Sequence, residues 1–254
     1  MPGTTRPSAW LSRAAVPARE RLIVALDVPS AAQALALADR LGDAVWFYKL
    51  GLELFTAGGY FELLDELRRR GKRVFVDLKL FDIPATVAAA VRQLAQRGAD
   101  FATVHGNERM IEAACKEKGP LKVLAVTVLT SLDESDFRDL GVEVPIEKLV
   151  LSRARRALAL GCDGVVASGV EARPLREALG SGFLVVSPGI RPLEREDDQR
   201  RVVTPRDAFL AGADYIVVGR PIHGAADPRT AALEVQATIA ELFGEGGASS
   251  RATP

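Results

Sequence analysis

Cysteine is scarce in this chain. Cys115 and Cys162 are its only two, they lack Cys-x-x-Cys spacing, and neither a disulfide framework nor a zinc site is supported by them. They read as free thiols, which suits a reducing cytoplasm. An excess of either charge is also missing: Lys plus Arg and Asp plus Glu each total 33, so nothing argues for nucleic acid or an anionic membrane as partner. No apolar run reaches the length of a transmembrane helix. Residues 1–19 have no continuous apolar segment of the secretory type and no acid before Glu20. That stretch reads as a disordered tail, with an organelle transit peptide as the alternative, and residues 244–254 read as a second disordered tail. A Gly-x-Gly-x-x-Gly turn is absent as well, since Asp27-Val28-Pro29-Ser30 follows the first strand-like run.

What is present is a repeating alternation. The chain has 254 residues, 48% of them hydrophobic, enough for one large core. Apolar, β-branched runs at Leu22–Val28, Trp46–Gly51, Arg73–Leu80, Phe101–Gly106, Lys122–Ser131, Gly164–Ser168, Leu184–Ile190 and Tyr215–Ile222 are each followed by a helix-like stretch. Continuous apolar runs suit parallel strands covered on both faces. Eight such units without a break in composition predict a closed (β/α)8 TIM barrel, a single α/β domain over residues 20–243. An open Rossmann-like sheet is the runner-up, and it would need the missing glycine turn.

In a barrel the chemistry lies at the carboxyl ends of the strands. Polar residues collect there: Asp27, Lys49, Asp77 with Lys79, His105, Thr130-Ser131, Ser168, Ser187-Pro188-Gly189 and Gly219-Arg220. Taken singly, Asp27 could cap a helix, Lys49 could snorkel to the surface, and His105 could be a hydrogen-bonded core histidine. Charges ending three consecutive strands are harder to explain as caps. Asp77 and Lys79, two apart on one strand, share a face. Asp82-Ile83-Pro84-x-Thr86 then reads as a helix start, with Asp82 as N-cap and Pro84 in the first turn. A lysine beside a carboxylate stays an ammonium at neutral pH, which opposes a Schiff-base role and favours proton donation. Interleaved lysines would also compete with a divalent metal, so no metal is expected. Gly219-Arg220 suits a phosphate, because glycine admits close backbone approach and arginine adds a bidentate charge. The polar loop Leu193–Val203, which contains Gln199, reads either as solvated surface or as a lid.

These motifs resemble the orotidine 5′-phosphate decarboxylase family. The resemblance spans Leu22 to Phe243 and centres on Asp77-x-Lys79-x-x-Asp82-Ile83-Pro84-x-Thr86. It includes Ala25-Leu26-Asp27, Tyr48-Lys49-Leu50-Gly51, Leu129-Thr130-Ser131, Ser187-Pro188-Gly189-Ile190-Arg191-Pro192 and Val218-Gly219-Arg220-Pro221-Ile222. It implies a cofactor-free homodimer that turns orotidine 5′-monophosphate into UMP and CO₂. By position, Asp27 and Lys49 would bind ribose hydroxyls, Asp77 would sit beside the substrate carboxylate, and Lys79 would protonate C6. Asp82 and Thr86 would enter the partner's site, and Ser131 would meet the pyrimidine. Pro188 would lie in the binding region, while Arg191, Gln199, Gly219 and Arg220 would hold the phosphate. Ala85 departs from the amide that many relatives carry there, which touches a loop or interface contact and not the chemistry. Two rivals are a metal-dependent sugar-phosphate decarboxylase on the same barrel and a non-catalytic nucleotide-binding barrel.

Overall fold

The computed structural model describes residues 10–139, 141–191 and 203–244. Eight parallel strands close into a barrel in chain order: β1 (Leu22–Ala25), β2 (Phe47–Leu50), β3 (Arg73–Leu80), β4 (Phe101–Val104), β5 (Lys122–Val126), β6 (Gly164–Val166), β7 (Leu184–Ser187) and β8 (Tyr215–Val218). The pairing of Val24 with Val218 closes the ring between β1 and β8. Between and after the strands run α1 (Ala31–Leu41), α2 (Leu52–Ala57), α3 (Tyr60–Arg69), α4 (Pro84–Gln96), α5 (Glu108–Glu117), α6 (Glu134–Asp139), α7 (Ile146–Ala159), α8 (Gly169–Leu179), α9 (Pro205–Leu210), α10 (Arg220–His223) and α11 (Pro228–Phe243). No helix among the described residues is long and apolar enough to cross a membrane.

Period-2 alternation sorts the strand residues into two cores. Val24, Tyr48, Val74, Val76, Val165 and Val185 face the helices and pack with stripes such as Ala34, Leu37, Ala38 and Leu41 of α1. Ile23, Phe47, Phe75, Phe101, Leu124, Val186, Tyr215 and Val217 fill the barrel itself. There Phe101 meets Phe47 and Tyr215 edge-on, with centroids 4.9 and 5.1 Å apart. Each such buried side chain contributes about 1.5–3 kcal/mol of transfer free energy. This apolar plug makes the barrel a solid floor, so a ligand can sit only on top of it.

Four details differ from the sequence reading. Seven of the apolar runs extend past their strands, because the chain leaves the hydrogen-bonded ladder as it turns into the mouth. The helix-like stretch expected between the Trp46–Gly51 and Arg73–Leu80 runs is two helices, broken where Gly58 and Gly59 both take positive φ, 85° and 70°. Asp82 is not the N-cap of α4. Ile83 occupies that position with Pro84 first in the helix, and the Asp82 carboxylate accepts from the Ile83 N–H at 2.6 Å. Residues 10–19, expected to be part of a loose tail, are anchored at the base of the barrel. Ser12 donates to Asp214, and the Arg21 guanidinium donates to the Ala14 carbonyl at 3.0 Å. The remainder of that stretch, residues 1–9, lies outside the described residues, as do residues 245–254 of the second expected tail.

Candidate active site

A cavity of about 450 Å³ opens at the carboxyl ends of the strands, within the size range of small-molecule sites. Its floor is apolar, formed by Ala25, Phe75, Val126, Val166 and Val217. The polar side chains stand one step higher. Along the inward-facing columns, Ala25 is followed two residues on by Asp27, Phe47 by Lys49, Phe75 by Asp77, Phe101 by Thr103 and Val217 by Gly219. The period of the strand therefore carries each column from dry core to charged mouth.

Four of these charges form one alternating chain. Lys49 Nζ lies 3.0 Å from Asp27 Oδ1 and 3.5 Å from Asp77 Oδ2. Lys79 Nζ lies 3.0 Å from each Asp77 oxygen. Gly51 leaves room for this arrangement, since a β-carbon there would stand 3.1 Å from both Asp27 Oδ1 and Lys49 Nζ. Burial of Asp77 pushes its carboxyl up, but Lys49, Lys79 and the hydrogen bonds from Lys79 and Thr103 outweigh it and hold the group below the usual aspartate range. Asp77 is thus an anion between two cations at the centre of the mouth.

Lys79 reaches Asp77 by an irregular route. β3 pairs Val76 with Ala102 and then Leu80 with Val104, so four steps on β3 oppose two on β4. Within that bulge Lys79 has φ 49°, the only positive φ of a non-glycine residue in the described chain. A left-handed lysine costs about 1–2 kcal/mol, so the surroundings must hold it. Thr103, fully buried on β4, does so: its Oγ1 accepts from the Lys79 N–H and donates to Asp77 Oδ1, both at 2.9 Å.

The other expected residues are spread more widely. Pro188, Gly189, Arg191, Gly219 and Arg220 line the far side of the cavity, where the Ile190–Val203 bridge and the bond from the Arg191 N–H to the Val203 carbonyl fix the start of the loop. Gln199 lies outside the described residues. Ser131 is exposed and absent from the wall; β5 has ended, the Leu132 N–H closes a turn onto the Leu129 carbonyl, and Thr130 is the hydroxyl that lines the cavity. Asp82 and Thr86 are exposed outside this cavity, beside Phe81 and Ile83, which are 68% and 66% exposed. His105 faces a neighbouring hollow with Phe81 and Arg153, while Ser168 and Ser187 are buried away from the cavity.

Sequence reasoning missed Thr103, Glu53 and His223. Thr103 carries no charge, yet its place two residues after Phe101 marks it as inward-facing. Glu53 and His223 both line the cavity from short helices, α2 and α10. Burial lowers the His223 imidazole against the opposing pull of Asp27. Among the described residues no group of three or more His, Cys, Asp and Glu side chains is placed to hold a metal ion. Asp27 and Asp77 are instead bridged by Lys49.

Residues 20–235 match the family model described as orotidine 5′-phosphate decarboxylase / HUMPS. The orotidine 5′-phosphate decarboxylase of Methylococcus capsulatus is 59% identical over 239 residues, covering 93% of this chain and 99% of that protein. Its counterpart from Stenotrophomonas maltophilia is 54% identical over 92% of this chain and 99% of its own length. Among solved structures, the orotidine 5′-phosphate decarboxylase of Lactobacillus acidophilus superposes with a TM-score of 0.78 at 37% identity, covering 87% of this chain and 99% of that one. A charge chain over the dry floor of a closed barrel, joined with whole-length identity above one half, leads to one statement: the chain belongs to the orotidine 5′-phosphate decarboxylase / HUMPS family.

Proposed function

We infer that this chain is an orotidine 5′-phosphate decarboxylase, converting orotidine 5′-monophosphate to UMP and CO₂ in pyrimidine biosynthesis without a cofactor. The observation that carries the reading is the Asp27–Lys49–Asp77–Lys79 chain above an apolar floor. Decarboxylation breaks the bond from C6 to the carboxylate and leaves the electron pair on C6. A fixed ammonium beside that carbon stabilises the pair and then gives up its proton. Lys79 Nζ is that acid: the C6–H bond forms as the N–H bond breaks, and solvent later reprotonates the amine. Asp77 beside the departing carboxylate favours its loss as neutral CO₂. Lys49 and Asp27 bind the ribose hydroxyls, and Lys49 keeps Asp77 ionised between two cations.

Arg191, Gln199, Gly219 and Arg220 hold the phosphate, and Pro188 packs beside them. Their contribution is binding energy from a part of the substrate that does not react, which lowers the barrier at C6 when it is stronger in the transition state. Asp82 and Thr86 serve a second copy of the barrel. Exposed Phe81 and Ile83 beside them form an apolar surface of the kind a C2 partner covers, and in that homodimer each site draws Asp82 and Thr86 from across the interface. The enzyme works in the cytoplasm, with no nucleic acid or membrane partner.

Loss of orotidylate absorbance in the presence of a chelator tests this reading. Undiminished turnover is expected. Chelator-sensitive turnover of a sugar phosphate in its place would favour the metal-dependent rival, and binding of UMP without any turnover would favour a non-catalytic barrel.

A further inference from the structure

The bulge in β3 creates a problem that a buried hydroxyl solves. Between Val76 and Leu80 the chain leaves its regular register with β4, so the Lys79 N–H loses its place in the ladder. The ladder is regained only where the His105 N–H donates to the Leu80 carbonyl at 3.0 Å. A backbone N–H left without an acceptor inside a protein costs free energy comparable to a lost hydrogen bond. Thr103 supplies the acceptor from the neighbouring strand.

A threonine hydroxyl has one hydrogen to give and lone pairs to receive. Here the Lys79 N–H fills a lone pair, and the hydrogen goes to Asp77 Oδ1. One oxygen atom therefore fixes the backbone from which the Lys79 ammonium projects and the carboxylate against which it rests. The surrounding column is apolar below Thr103, where Phe101 fills the barrel. No other side-chain hydroxyl bonds either group among the described residues.

We propose that Thr103 is a positioning residue for the decarboxylation: it holds Lys79 in its left-handed conformation and locks Asp77 in register with it, so the ammonium stays aimed at the reacting carbon. The proposal rests on the decarboxylase reading for its kinetic consequence. Its geometric consequence stands apart from that reading. Thr103 touches no substrate in this scheme, so its loss should act on the chemical step and leave nucleotide affinity nearly intact.

The test is Thr103→Val, which keeps the shape of the side chain and removes both hydrogen bonds, with Thr103→Ser as the variant that restores a hydroxyl. Expected for Thr103→Val is a fall in kcat on the order of 10- to 100-fold, with KM changed by less than about threefold. Thr103→Ser should return kcat to within about threefold of wild type. The acid limb of kcat should move to higher pH in Thr103→Val and stay in place in Thr103→Ser, because a bond that favours the ionised carboxylate has gone. Asp77 then keeps Lys49 from β2 and Lys79 from β3 as its stabilising charges, with the Tyr60 phenol on α3 also within its field. Crystal structures of both variants report φ at Lys79 and its distances to Asp77 independently of turnover. If Thr103→Val does not fold, Thr103→Ala is measured the same way.

A Thr103→Val enzyme with kcat within about twofold of wild type would overturn the proposal. So would equal losses in kcat and KM that Thr103→Ser fails to restore, which would mark a packing role. Should wild type itself leave orotidylate unchanged, the decarboxylase reading fails, and Thr103 is then judged on the crystal structures. Retention of φ near 49° and of both Lys79–Asp77 contacts in Thr103→Val would overturn it there.

Discussion

Asp77 carries a heavy electrostatic demand for a single residue. It is an anion held inside the mouth because Lys49, Lys79 and the Thr103 hydroxyl together oppose its burial. Its folded-state pKa is depressed, so its contribution to stability is present above the ordinary aspartate value and is lost as pH falls through the lower folded one. The melting temperature of wild type over Asp77→Asn should therefore hold its lead at neutral pH and lose it on acidification; a lead that grows as pH falls would contradict the assignment. At the other end of the substrate, Arg220→Ala should raise KM strongly and lower kcat as well. Comparison of substrates with and without the phosphate checks this. Equal losses on phosphate removal in wild type and variant would show that Arg220 does not touch it.

At the scale of elements, the barrel separates chemistry at its top from stability at its base. Asp214, just before β8, accepts from Arg176 Nη2 at 2.6 Å and from the Val185 N–H at 2.7 Å, with both side chains almost wholly buried. Asp214→Ala leaves a buried guanidinium unpaired and should cost about 3–5 kcal/mol in chemical denaturation. The turnover of the molecules that remain folded should not change. A loss below about 1 kcal/mol would mean that water or the Gly212 and Phe183 carbonyls satisfy Arg176 without it.

Much of this architecture was legible in the sequence because parallel strands buried on both faces write themselves as apolar runs. The charges of Asp27, Lys49, Asp77 and Lys79 stood out against those runs for the same reason. Other features left no such contrast. Thr103 is a strand-favouring residue within a strand, and its role depends on a bulge that no local pattern announces. The left-handed φ of Lys79 is likewise invisible, since lysine carries no sign of it. Asp82 satisfies the usual preference for an N-cap, yet the proline two residues later moves the cap to Ile83. The exposed carboxylate is thereby left without a capping role in its own chain.

At the scale of the whole molecule, the proposed dimer makes a prediction about shared sites. Mixing Lys79→Ala with Asp82→Asn subunits places both lesions in one site of each mixed dimer and neither in the other. Random reassortment of the two inactive homodimers should restore up to about a quarter of wild-type activity, because half the dimers are mixed and each has one intact site. No recovery despite verified exchange would place Asp82 within its own chain's function. Lys79 is proposed to supply the proton that ends the reaction at C6. Turnover of orotidine 5′-monophosphate by Lys79→Ala, measured beside the affinity of the same protein for UMP, checks that role. Turnover is expected to fall to background while UMP still binds, since the proposed phosphate-binding residues Arg191, Gly219 and Arg220 follow β7 and β8 rather than β3; near-normal turnover would overturn the assignment.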